Sequence, residues 1–208
     1  MPETLTTTPE SVSQQELDQQ LQNAAERVSD LMFEPGFLDL AVKAGIDINN
    51  PEPSLYWQKM AEYTSRQTGS GSELSPLEKQ TTQLIGYLPN ALFQGYQLKH
   101  HRDLLTDTEV RNAKRTACTY NNLLKDFVRN HPQSADHLKA SLLNGVLLTV
   151  GGESYDFNEF TDRALDDTLR GVKHEVGFGA VLDSLGVPHR DATITEDLKG
   201  RDLVIIFQ

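Results

Sequence analysis

Apolar side chains recur at helical spacing through most of this chain, and that periodicity constrains the fold more than any other feature of the sequence. After Ser13, leucine, alanine and valine residues return every three or four positions, with polar and charged residues between them. Ser13 and Glu16 have the spacing of a capping box, which is typical of a helix start. Comparable patterns continue as far as the double glycine at 151–152. The sequence therefore predicts a helical region over residues 13–150.

Three kinds of segment are predicted to flank or interrupt these helices. Residues 1–12 contain Thr, Ser, Pro and Glu with few large apolar groups, which predicts a disordered tail. The segment 68–76, TGSGSELSP, is rich in turn-forming residues and predicts a linker or loop. Pro89 is predicted to interrupt the pattern that leads up to it, because a proline inside a helix removes a hydrogen bond. Further helices are expected over residues 90–105, 107–130 and 134–150.

The pattern changes after the double glycine, so residues 151–208 are predicted to form a small α/β element. Residues 158–185 resume helical periodicity, 187–193 are expected to be extended because of Pro188, and 194–201 are expected to be a polar turn. The sequence DLVIIFQ at 202–208 then predicts a β-strand. A strand of consecutive apolar residues is usually buried on both faces of its sheet. This predicts a central strand, a strand that pairs with another chain, or a chain that has been cut short.

Three glycines lie inside the helical pattern of residues 158–185. Gly171, Gly177 and Gly179 are not preceded by the strand that a dinucleotide-binding fingerprint requires. We therefore expect them to mark close packing of the helix against a neighbour.

The distribution of charge limits the classes of partner. The chain carries 30 acidic and 19 basic residues, a net charge of −11, which argues against an unaided, non-specific hold on nucleic acid. The exception is the region 99–150, which has a net positive charge and includes a cluster of Lys, Arg and His over residues 99–115. That basic stretch is interpreted either as a solvated helix face or as a surface that binds DNA phosphates.

Two absences in the sequence bear on location. No apolar run approaches the roughly 20 residues that cross a bilayer, and the first residues lack the pattern of a secretory signal. Cys118 is the single cysteine, which excludes an internal disulfide and any multi-cysteine metal site. We expect a cytoplasmic protein.

One segment has a pattern that points to chemistry. A predicted helix contains Glu175, a glycine ends it, and Glu196 and Asp197 precede Gly200 and then Asp202 at the start of the apolar strand. Residues 171–208 in this order resemble the start of the core of the PD-(D/E)XK nuclease superfamily, which has the restriction-endonuclease-like fold. By motif position, Glu175 matches the helix glutamate of that family and Asp202 matches its metal-binding aspartate.

The resemblance implies a mostly α protein, in which a helical N-terminal region is followed by the start of a restriction-endonuclease-like core. It also implies a metal-dependent nuclease in which Asp202 and Glu175 hold Mg²⁺, since carboxylate oxygens are its preferred protein ligands. The family's (Glu/Asp/Gln)-X-Lys motif does not follow Asp202 in residues 203–208. The alternatives are therefore a truncated or inactive relative, or a non-catalytic helical module that binds another protein.

Overall fold

Helices make up most of the structure, a computed structural model that describes residues 13–48, 51–132, 138–150, 157–199 and 201–206. The predicted tail at 1–12 and residues 151–156 lie outside the described residues. The elements, in chain order, are α1 (Gln14–Leu31), α2 (Pro35–Lys43), α3 (Pro53–Gln67), α4 (Pro76–His100), a 3-10 turn (Arg102–Leu104), α5 (Asp107–Asn130), α6 (Leu138–Val150), α7 (Phe157–Ser184), β1 (His189–Asp191), α8 (Ile194–Asp197) and β2 (Leu203–Ile205).

Local capping signals fix where several helices begin. The Ser13 hydroxyl accepts a hydrogen bond from the backbone N–H of Glu16, which confirms the predicted start of α1. Helix α5 starts with a reciprocal capping box, in which Thr106 accepts from the Glu109 N–H and the Glu109 carboxylate accepts from the Thr106 N–H. Such boxes satisfy amides that have no partner within the helix.

Helix α4 runs through Pro89, so the predicted interruption at that residue is wrong. The helix is continuous from Pro76 to His100 and packs against α1, α3, α5, α6 and α7. A proline inside a helix costs about 3 kcal/mol. Packing on several sides outweighs that cost here, and Pro89 itself is buried.

The apolar core lies where the helices α1 to α7 meet. Helix α1 packs on α4 and α6, and α7 packs on α5 and α6. The largest fully buried side chains of the core are Leu17, Val28, Phe37, Met60, Leu84, Ile85, Leu88, Leu124, Phe127, Leu138, Leu142 and Leu165. Among the described residues, no helix combines the length and apolar character needed to cross a bilayer.

Strands β1 and β2 form an antiparallel pair in which His189 lies opposite Ile205 and Asp191 lies opposite Leu203. A small C-terminal α/β element is therefore present, as predicted. The expected cover on both faces of the final strand is not found among the described residues, because Ile205 is 43% exposed and Ile206 is 46% exposed. The predicted polar turn is also corrected, since residues 194–197 form the short helix α8 behind a Thr193 cap.

The glycines of α7 behave differently from one another. A Cβ atom at Gly171 or Gly177 would meet nothing within 4 Å, so the prediction of close packing is wrong at both positions. A Cβ at the buried Gly179 would lie 3.3 Å from His189 Nε2. Close approach is therefore limited to the place where α7 meets β1.

Candidate functional site

Glu175 lies on the side of α7 that faces α5. Its carboxylate forms an ion pair with Lys125, whose side chain extends from α5. Lys125 is only 4% exposed, whereas the Glu175 side chain is 25% exposed. A buried ammonium group requires a counter-charge. Glu175 therefore neutralises Lys125 at the contact between α5 and α7.

A second ion pair joins α5 to β1. The guanidinium of Arg129 donates two hydrogen bonds to the Asp191 carboxylate, at 2.5 and 2.6 Å. These hydrogen bonds hold the pKa of Asp191 below its usual range, and they raise the pKa of Arg129. Because two parallel hydrogen bonds join the guanidinium to the carboxylate, they fix the orientation of β1 relative to α5 and also pair the two charges.

An open cavity of about 450 Å³ lies beside this pair, between α5, α7 and β1. Arg129, Asp183, His189, Arg190 and Asp191 supply its polar lining. His189 Nδ1 is 3.7 Å from an Asp183 carboxylate oxygen. The cavity therefore brings cationic, anionic and titratable groups together next to the ion-paired face of α7.

Asp202 immediately precedes β2, as the sequence predicted. Its backbone carbonyl accepts a hydrogen bond from the Ala192 N–H at 3.2 Å, while its side chain is exposed and contacts no partner among the described residues. The contacts of Glu175 link it to α5 and not to Asp202. The described residues contain no group of three or more His, Cys, Asp or Glu side chains that could hold a metal ion.

The other two acidic residues of the resemblance have structural partners. Glu196 accepts hydrogen bonds from Arg190 and from Thr193, which hold its pKa well below the usual range. Asp197 of α8 lies near the Cys118 thiol of α5 and disfavours its ionisation. Burial, followed by this contact, raises the pKa of Cys118 to about 11. Both acids therefore hold α8 in place.

The basic stretch 99–115 spans the end of α4, the 3-10 turn and the first half of α5. Lys99, Arg102, Arg111, Lys114 and Arg115 are exposed there, and the acidic residues of the same stretch are exposed among them. The ammonium of Lys99 lies 5.5 Å from the centre of the Phe160 ring of α7. The stretch is therefore a surface of mixed charge with a local excess of cations.

Sequence reasoning did not identify Lys125 and Arg129, which are the basic partners in the two ion pairs. Lys125 follows Leu124 and lies three residues before Val128, so it falls within the apolar side of α5. A charged residue in such a position predicts a buried partner. That signal could have identified Lys125, although it could not have identified Glu175 as its partner.

Comparison of the chain with protein-family models, with curated proteins and with solved structures finds no match. Function is therefore inferred from the residues and contacts described above.

Proposed function

We propose that the protein belongs to the nuclease class of metal-dependent phosphodiesterases, with Asp202 and Glu175 as the carboxylates that hold Mg²⁺. The observation that carries this proposal is the order of helix and strands at the C-terminal end. Glu175 lies on α7, β1 follows, and Asp202 directly precedes the antiparallel strand β2. The start of a restriction-endonuclease-like core has the same order.

The carboxylates fit the ion in their chemistry. Mg²⁺ is commonly held by one or two carboxylates, with water and substrate phosphate completing its shell. The exposed Asp202 side chain has no partner among the described residues, and the Glu175 side chain is partly exposed beside Lys125. When bound, the ion lowers the pKa of a water molecule and neutralises charge on the phosphate.

In this proposal, other residues of the chain position the Glu175 carboxylate and neutralise charge on the DNA backbone. Lys125 fixes the Glu175 carboxylate from the buried side, so that α7 presents it in one orientation. The basic stretch 99–115 of the protein provides exposed cations that contact the DNA backbone. Because acidic residues are interspersed there, we expect weak DNA binding that decreases steeply with salt.

The test compares Asp202→Asn with Asp30→Asn, a matched loss of one exposed carboxylate on α1. Isothermal titration with Mn²⁺ should show binding by the wild-type chain and by Asp30→Asn, and at least tenfold weaker binding by Asp202→Asn. Nicking of plasmid DNA in Mg²⁺ should follow the same order. Equal metal affinity in Asp202→Asn and the wild type would refute the proposal.

Glu175 is a poor position for that test, because its substitution has two consequences. Glu175→Gln removes a metal ligand and also leaves the buried Lys125 without its counter-charge. Lost activity in that variant could therefore come from lost stability. Asp202 is exposed, so its substitution separates the two effects.

The second candidate is a non-catalytic interaction module, and the exposed apolar surface of α7 favours it. Phe178 and Val181 on α7 are 54% and 51% exposed, and Leu185, just after the end of the helix, is 69% exposed. At the end of the antiparallel pair of β1 and β2, the Ile206 N–H donates to the Pro188 carbonyl. Because successive N–H groups of a strand point to opposite edges, the N–H of Ile205 points away from β1. In this candidate, a second copy of the chain pairs its β2 with that edge.

Ile205→Pro removes the outward N–H and keeps the bonds to β1, while Ile205→Val keeps both. If the second candidate is correct, sedimentation velocity should show dimers for the wild type and for Ile205→Val, and monomers for Ile205→Pro. A wild-type chain that stays monomeric at 100 µM, on the order of typical weak self-association, would contradict it.

A further inference from the structure

The open cavity between α5, α7 and β1 is used neither by the proposed metal site nor by the proposed DNA surface. Its volume of about 450 Å³ lies within the range of sites that hold small molecules or single long side chains. Its apolar lining comes from the end of α5, from the segment just after it and from α7, and consists of Val128, Pro132, Val176, Gly179 and Ala180. The cavity therefore offers an apolar floor that is open to solvent.

Both arginines of the cavity are already neutralised within the fold. Arg129 donates to the two carboxylate oxygens of Asp191, at 2.5 and 2.6 Å. Arg190 donates to the two carboxylate oxygens of Glu196, each at 2.8 Å. Because each guanidinium already has a carboxylate partner, neither presents an unpaired positive charge to an anionic ligand.

Asp183 is the charged group of the cavity that remains available. Its side chain is 78% exposed, and within the described part of the chain no group donates a hydrogen bond to its carboxylate. His189 Nδ1 lies 3.7 Å from that carboxylate but only 3.1 Å from the backbone carbonyl of Val187. A carbonyl can only accept, so Nδ1 carries a proton and donates it to Val187. The Asp183 carboxylate is therefore free to bind a cation.

Two helix ends make the potential of the cavity more negative. Helix α5 ends at Asn130 and α7 ends at Ser184, and residues from the C-terminal end of each helix line the cavity. The free carbonyl groups at a helix C-terminus act as a negative charge of about half an elementary charge. The lining as a whole therefore favours a positive group held above an apolar floor.

We propose that this cavity binds an organic cation, in which a guanidinium or ammonium group is carried on an alkyl chain. The charged group contacts the Asp183 carboxylate, and the alkyl chain lies on Pro132, Val176 and Ala180. Arginine and lysine side chains have this chemistry, and free polyamines share it. The net charge of −11 attracts such ligands from solution. The binding requires neither Asp202 nor a metal ion.

The experiment follows the backbone amide signals of Gly179 and Ala180 by NMR while blocked amino acids are added to the full chain in EDTA. N-acetyl-arginine methylamide should bind with a Kd on the order of 1 mM. The norleucine compound, which has a similar chain without the charge, should bind at least about tenfold more weakly. The glutamate compound should also bind more weakly than the arginine compound. If it binds more tightly, Arg129 or Arg190 supplies the available charge and the proposal is wrong.

Spermidine, added in the same way, distinguishes the two sources of the cation. Binding at least about tenfold tighter than that of the arginine compound identifies a free polyamine as the ligand. Any weaker binding by spermidine identifies the basic side chain of a partner protein. If neither compound displaces the signals at about 20 mM, which is far above the expected Kd, the proposal is refuted.

Asp183 has a matched control in Asp30, because both are exposed and each is the residue before the last of its helix. Asp183→Lys should weaken binding of the arginine compound at least about tenfold, because a repelling charge replaces an attracting one. Asp30→Lys changes the net charge equally and should leave the affinity within about twofold. Both variants should melt no lower than the wild type, since lysine is favourable at a helix C-terminus.

Asp202→Asn should bind the arginine compound as the wild type does, which keeps this result separate from the metal proposal. Unchanged affinity in Asp183→Lys would show that the Asp183 carboxylate does not hold the cation.

Discussion

Helix α1 and the second half of α7 have similar apolar periodicity but bury it very differently. Leu17, Leu21 and Val28 of α1 are each no more than 2% exposed. Phe178 on α7 and Leu185 just after its end are more than half exposed, although Leu182 between them is buried. Periodicity therefore indicates that a helix forms, but it does not indicate how much of the apolar surface finds cover.

The two regions also differ in the balance of forces that attach them. Helix α1 is held mainly by apolar packing on α4 and α6, with one ion pair to α4 between Arg27 and Glu78. The C-terminal segment, residues 171–199 and 201–206, adds two ion pairs to α5, between Lys125 and Glu175 and between Arg129 and Asp191. Apolar packing does not depend on charge, whereas a partly exposed ion pair is weakened when salt screens its charges. The following variants test this difference, beginning with the largest expected effect.

Leu84→Ala in α4 should lower the free energy of unfolding by about 3 kcal/mol, because it leaves a cavity at a side chain that is 0% exposed. Leu185→Ala should change it by less than about 0.5 kcal/mol, because that side chain is 69% exposed. Urea denaturation followed by circular dichroism measures both. A comparable loss in the two variants would mean that Leu185 is covered in solution.

Glu175→Gln should lower the free energy of unfolding by about 3 kcal/mol at most, with allowance for the partial exposure of Glu175. The loss arises because the buried Lys125 is left without its counter-charge. The double variant Lys125→Met with Glu175→Gln should regain most of the stability, since it removes both charges. If the double variant is as unstable as the single one, packing and not charge is responsible.

Alanine substitutions at glycine should change the stability in opposite directions in α4, which packs against α1, and in α7. A Cβ at Gly86 would lie 2.5 Å from the Thr64 hydroxyl oxygen and 3.0 Å from Thr64 Cβ, so Gly86→Ala should destabilise by about 1 to 3 kcal/mol. Gly171→Ala should stabilise by about 0.5 to 1 kcal/mol, because its Cβ meets nothing and alanine favours helix. Thermal denaturation should show melting temperatures displaced in opposite directions.

Asp191→Asn should cost about 1 kcal/mol at pH 7, because the ion pair with Arg129 is partly exposed. The ion pair lowers the pKa of Asp191 in the folded state. Its contribution to the free energy of unfolding is therefore complete above the pKa that Asp191 has in the unfolded chain. That contribution is lost as the pH falls through the lower folded-state pKa. Urea denaturation of the variant and the wild type at pH 7 and at pH 3 should show the difference narrowing at acid pH.

The predictions that succeeded depended on signals within a few residues. The start of α1 follows from Ser13 and Glu16, and the final strand follows from a run of strand-forming residues beginning at Leu203. The mixture of helix and strand after residue 157 was also predicted from residues that lie close together in the sequence. The metal site at Glu175 and Asp202 stays a prediction, because its test requires an ion.

The predictions that failed depended on contacts between distant residues. Pro89 is a strong local signal, but five packed helices decide the course of α4. Lys125 lies 50 positions before Glu175 in the sequence, so periodicity could not pair them. The cavity beside Asp183 likewise draws its residues from α5, α7 and β1, and it has no sequence signature.

The thiol of Cys118 makes motion of the C-terminal segment measurable. Cys118 is 9% exposed and lies against Asp197 of α8, and its pKa of about 11 keeps it protonated at pH 8. If α8 detaches while the rest of the helices stay folded, the thiol loses the nearby Asp197 and part of its cover, so its pKa falls toward the ordinary value and its thiolate fraction rises. Labelling by a disulfide reagent therefore reports how often the segment opens. Arg129→Gln, which loosens β1, should accelerate that labelling without lowering the helix content.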